Sequence, residues 1–79
     1  MVLLDVISVK TRPEYFLEIV FENNQKRIFD MSLLIERKPF SALKDYGLFS
    51  KARVDYGTVV WPNNIDIDPE VLWENSVQA

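Results

Sequence analysis

Apolar and polar positions alternate unevenly along this chain, and the unevenness carries information. Residues 3 to 9, LLDVISV, make a short β-branched apolar run that predicts a strand, and Pro13 breaks it. Residues 15 to 21, YFLEIVF, predict the strongest strand. There Tyr15, Leu17, Ile19 and Phe21 share one face, while Phe16 and Val20 stand on the other beside Glu18. Both faces are therefore partly apolar, as in a central strand or in one covered by a partner. ENNQ at 22 to 25 predicts a turn, because asparagine tolerates positive φ, and KRIFDM at 26 to 31 returns as the second arm. A short loop would set Ile19 opposite Ile28 and a longer one would set it opposite Phe29; the pattern leaves both open.

The middle of the chain changes period. Asp30 or Ser32 can cap a short helix through SLLIERK, Pro39 interrupts it, and Ser41 can cap a further turn, ALKDY, with Gly47 just past its end. KARVDYG and TVVW predict a second hairpin bent near Tyr56-Gly57, with Val54, Val59, Val60 and Trp61 as core candidates. Pro62 ends that strand, since it donates no ladder hydrogen bond. Asp68-Pro69 reads as an N-cap followed by proline at the first helical position, opening a terminal helix, PEVLWENS, with Glu70 in its first turn. The order is three strands, a helical middle, two strands and a helix. It predicts an α+β domain with a small antiparallel sheet, order β-β-β-α-β-β-α, and short helices against one face or edge.

Composition narrows the reading. Seventy-nine residues, 48% hydrophobic and 27% charged, suit a single folded domain over residues 1–79 with one modest core. With no cysteine there is no disulfide framework, no basic-then-apolar leader opens the chain, and no run approaches a membrane-spanning length. A cytoplasmic protein away from membranes is expected. The formal charge of −3 disfavours nucleic-acid binding by a lone copy, where phosphate neutralisation supplies most of the affinity. The basic pairs Lys26-Arg27 and Arg37-Lys38, and Lys51 with Arg53, read as solvated surface.

The absent residue types remove whole chemistries. Without histidine there is no Ser-His-Asp or Cys-His catalysis and no HExxH site; without cysteine there is no structural zinc or iron–sulfur ligation. The only glycines, Gly47 and Gly57, cannot build a phosphate loop. Carboxylates remain: Asp66 and Asp68 would point the same way in extended chain and could share a cation with Glu70. A calcium loop starting at Asn64 needs glycine where Pro69 stands and glutamate where Asn75 stands, so the spacing fails. Trp61 and Trp73 could form a stacking platform, but such rings more often close a small core. No catalytic, cofactor or metal residue is assigned. Trp61, Pro62, Asn63, Asp66, Asp68 and Trp73 stand as the candidate interaction or signature residues.

Three stretches taken together, FLEIVFENNQKRIFDMSLL, PFSALKDYGLFSKARVD and TVVWPNNIDIDPEVLW, resemble the small bacterial and phage family catalogued as domain of unknown function 2442. The resemblance runs from about Leu4 to Trp73. Its most specific element is carried by Trp61, Pro62, Asn63, Asp66, Pro69, Leu72 and Trp73. Family members often have glycine where this chain has Asn24 and Asn64. The resemblance implies an α+β domain of this order, no established catalytic residue and no cofactor, and a gene setting like that of toxin–antitoxin pairs.

The leading expectation is a non-enzymatic protein-interaction module, antitoxin-like toward a small basic co-encoded protein or pairing with itself as a homodimer. The alternative is a dimeric nucleic-acid-binding or regulatory module that gathers Lys26, Arg27, Arg37 and Lys38 on one face. A carboxylate metal protein using Asp66, Asp68 and Glu70 ranks third.

Overall fold

In the computed structural model, which describes residues 4–79, the chain runs through β1 (Val6–Arg12), β2 (Phe16–Phe21), β3 (Lys26–Asp30), a stretch of 3-10 turns, the single helical turn α1 (Tyr46–Phe49), β4 (Arg53–Asp55), β5 (Thr58–Trp61), β6 (Ile65–Ile67), α2 (Pro69–Asn75) and β7 (Val77–Gln78). Leu3, where the expected first strand begins, lies outside the described residues, as do residues 1 and 2 of the expected domain. The α+β class with antiparallel pairing throughout holds. The strands divide between a four-stranded sheet, order β1-β2-β3-β7, and a three-stranded sheet, order β4-β5-β6. Both β6 and β7 go beyond the five strands expected; each is too short, at three and two residues, to show a period.

The β2–β3 register differs from both pairings left open above. Ile19 faces Arg27 and Leu17 faces Phe29. The loop spans three residues, Glu22 to Asn24: Phe21 donates its amide to the Gln25 carbonyl at 3.0 Å, and Asn24 supplies the left-handed residue at φ 67°. The result puts Phe29 and Met31 into the core with Leu17, Ile19 and Phe21. It also turns Arg27 inward.

Two hairpins share one unexpected loop form. Arg12 pairs with Phe16 and Trp61 with Ile65, each across three residues that begin with proline. In both loops the second and third residues are left-handed: Glu14 and Tyr15 at φ 66° and 67°, Asn63 and Asn64 at φ 71° and 61°. Asparagine accepts that conformation readily, and glutamate and tyrosine do not. Tyr15 is held there by its surroundings. Its ring lies edge-on to Tyr46 and Phe49 at 5.5 and 5.1 Å, and its hydroxyl donates to the Lys44 carbonyl.

The helical middle is shorter than its sequence suggests. Asp30, not Ser32, is the cap: its carboxylate accepts the Ser32 amide at 2.9 Å and opens only a 3-10 turn, Met31–Leu33. Ser41 caps nothing in the 3-10 turn Phe40–Lys44. Asp45 caps α1 instead, accepting the Gly47 amide at 3.0 Å, so Gly47 lies inside that turn and not past its end. The positive-φ glycine is Gly57, at φ 74° in the β4–β5 bend with Tyr56 at 53°. Its carbonyl accepts the Val6 amide at 2.8 Å and ties the smaller sheet to β1.

The core sits between the two sheets. The inner face of the large sheet supplies Val6, Leu17, Ile19, Phe21 and Phe29, and the small sheet answers with Val59, Trp61, Ile65 and Ile67. Phe49 from α1 and Leu72 from α2 close the ends, both fully buried.

Candidate functional site

The stretch from Val59 to Trp73 gathers every signature residue, and the fold gives most of them structural work. Trp61 is buried, stacks on Phe49 at 6.3 Å and donates its indole N–H to the Phe49 carbonyl at 2.9 Å. Pro62 and Asn63 form the β5–β6 loop described above. Asp68 is the expected N-cap of α2, its carboxylate accepting the Glu70 amide at 2.8 Å. Trp73 meets Phe21 edge-on at 5.0 Å. The tryptophans therefore anchor separate elements and form no shared platform.

Asp66 is the exception. It sits exposed on the outer face of the small sheet, level in register with Val60, which in turn pairs with Arg53. A cleft of about 280 Å³ runs over this face, bordered by Arg53, Tyr56, Val60, Pro62 and Asp66. Tyr56 is 93% exposed at its rim. Asp68 and Glu70 are taken up at the start of α2 and do not join Asp66. Among the described residues no three histidine, cysteine, aspartate or glutamate side chains gather as metal ligands would.

The large sheet presents a second surface. Its inner face is core, and strand alternation sends Phe16, Glu18 and Val20 of β2 outward with Ile28 of β3. Glu18 pairs with Ile28, and Ile28 with Val77 of β7, so apolar side chains stand in neighbouring rows. Phe16, Val20 and Ile28 are half-buried, and Val77 is 64% exposed. Arg12, Pro13, Phe16 and Ile28 border a hollow of about 340 Å³ in this face. The partly apolar second face of β2 was visible in sequence at Phe16 and Val20. Arg12, Ile28 and Val77 were not assigned to it, because their place depends on register.

Glu18 is the charged centre of that face. Arg12 bonds one of its oxygens and the Lys26 ammonium lies 3.7 Å from the other. Desolvation pushes the carboxyl upward, but the Arg12 hydrogen bond and the charges of Arg12, Lys26 and Lys10 outweigh it and hold Glu18 below its ordinary range.

Of the four basic residues expected to share a nucleic-acid face, Arg27 leaves it. Lys26 points outward, whereas Arg27 turns in and spends its guanidinium on Trp73 and Ser76. Arg37 and Lys38 lie in the loop between the 3-10 turns, not on the strand that carries Lys26. No helix among the described residues is long and apolar enough to cross a membrane.

A family model described as "Protein of unknown function (DUF2442)" matches residues 6–78. No curated protein and no solved structure matches the chain.

Proposed function

We propose that this chain, which belongs to the DUF2442 family, works as a non-enzymatic protein-interaction module that docks through the outer face of its large sheet. One observation carries the reading: an antiparallel sheet that already fills a core on one side sets Ile28 directly beside Val77 and diagonally between Phe16 and Val20 on the other. Antiparallel sheets usually face water with alternating polar residues, and apolar side chains that neighbour one another on such a face mark an interaction site. A small co-encoded partner, in an antitoxin-like pairing, and a second copy of the chain are the forms this takes. The cleft at Asp66 is bordered by more polar and charged residues, Arg53, Asp55, Asn63, Asn64 and Asp66, and supports docking less.

The test compares variants. Tagged protein captures its partner from native-host lysate, and Phe16→Ser is expected to lose that partner while Tyr56→Ala, on the small sheet, keeps it. Matched melting curves establish that the variants are folded. Equal capture by the native chain and Phe16→Ser sinks the reading.

A further inference from the structure

The outer face of the large sheet also carries charge, and the charge is not that of the whole protein. Register places Lys10 and Arg12 of β1 and Lys26 of β3 there with Glu18 and Asp30. Cations outnumber the two carboxylates, and Glu18 is shared by two of them. The Glu18 side chain is 12% exposed beneath Arg12 and Lys26, and Asp30 accepts the Ser32 amide. The cations are presented to solvent: Arg12 and Lys26 are each 58% exposed at the side chain, and Lys10 is exposed beside them. An apolar hollow floored by Phe16 and Ile28 thus lies among exposed cations, on a chain whose formal charge is −3.

We infer that this face takes an acidic segment of a partner protein. A large apolar side chain of that segment fills the hollow at Phe16 and Ile28, and flanking carboxylates pair with Lys10, Arg12 and Lys26. The inference rests on the docking reading above and adds the partner's chemistry. Net charge alone points to a basic partner. It is an average over the molecule, however, and contact reads only the charge within about a Debye length, roughly 8–10 Å. A second copy suits the face poorly. A two-fold contact sets a patch against itself, so the excess of cations on this face would meet the same excess on the second copy.

Selection of random displayed peptides against the full chain tests this. The enriched peptides are expected to be net acidic around one large apolar residue. Their affinity, read by fluorescence polarisation, is expected to fall with added salt and to drop about tenfold in Lys10→Glu and Lys26→Glu, as loss of a paired charge implies. Both positions are exposed, and matched melting curves establish that the variants are folded. Phe16→Ser is expected to abolish binding. Basic or neutral winners, winners indifferent to these substitutions, or no enrichment overturn the proposal. So does a Phe16-dependent dimer seen by light scattering, which assigns the face to a second copy. If lysate capture still depends on Phe16 when the winners are basic or neutral, only the charge assignment falls. If capture is indifferent to Phe16, the docking reading falls with it.

Discussion

The guanidinium carbon of Arg27 lies 4.4 Å from the centre of the Trp73 ring. The same group donates to the Ser76 hydroxyl at 2.6 Å and to the Ser76 carbonyl at 2.7 Å. One side chain from β3 thereby holds the end of α2 and the start of β7. Ser76 is itself buried; its hydroxyl also donates to the Trp73 carbonyl at 3.3 Å, while its carbonyl accepts from Arg27.

Arg27→Ala is expected to cost about 2–3 kcal/mol, the sum of a stacked cation and charge-assisted hydrogen bonds lost from a partly buried site. Arg27→Lys recovers little of it, because an ammonium cannot stack flat and reach both Ser76 oxygens. Urea unfolding measures both. A double-mutant cycle with Trp73→Leu is expected to show coupling on the order of 1 kcal/mol.

Asp68 and Asp66 separate a cap from a spare carboxylate. Asp68→Ala removes the bond to the Glu70 amide and is expected to cost about 1 kcal/mol. Asp66→Ala is expected to stay within about 0.5 kcal/mol, as for an exposed side chain on a surface. Thermal melts in Mg²⁺, Mn²⁺ and Ca²⁺ are expected to show no shift; a concentration-dependent rise that Asp66→Ala abolishes would restore a metal role.

Glu14 offers a stabilising change. It is exposed and left-handed at φ 66°, in the position that Asn63 occupies in the matching loop. Glu14→Asn is expected to raise stability by about 0.5–1 kcal/mol, since a left-handed conformation costs ordinary residues roughly 1–2 kcal/mol. The reverse exchange, Asn63→Glu, is expected to lower it by a similar amount. Melting midpoints of both variants decide it.

The acid limb of stability tests Glu18. Its carboxyl sits below the ordinary value of 4.5, because Arg12, with help from Lys26 and Lys10, outweighs desolvation. A carboxylate depressed on folding stabilises the native state above its unfolded value, and that contribution is lost as pH falls through the folded value. Stability is therefore expected to decline below about pH 4.5, and Glu18→Gln is expected to decline less steeply across that window. Equal slopes for the two proteins would show that the ion pair contributes nothing.

The local rules were readable where neighbours in sequence decide the outcome. Asp68-Pro69 caps and starts α2, Pro62 stops β5, and Asn24 closes the β2–β3 hairpin, each through backbone chemistry confined to a few residues. The candidate docking face was half legible. Phe16 and Val20 announced a second apolar face on β2 by alternation within one strand. Ile28 and Val77 joined it only through pairing across strands, and a one-residue slip would have sent them to the core.

By itself, then, the amino-acid order determined the α+β class, the β2–β3 and β4–β5 hairpins, the start of α2, and the absence of the imidazole and thiol groups that much catalysis requires. Those follow from dihedral preference, side-chain period and chemical inventory, which act over a few residues or over none. Tertiary structure decided the rest. It set Ile19 against Arg27, gave Arg27 to Trp73 and Ser76 in place of a nucleic-acid surface, and admitted Glu14 and Tyr15 to a strained loop because an aromatic cluster holds the tyrosine. It also gathered exposed cations around Phe16 and Ile28 on an acidic protein. Each of these depends on distant residues meeting in one register, and a linear pattern leaves register open.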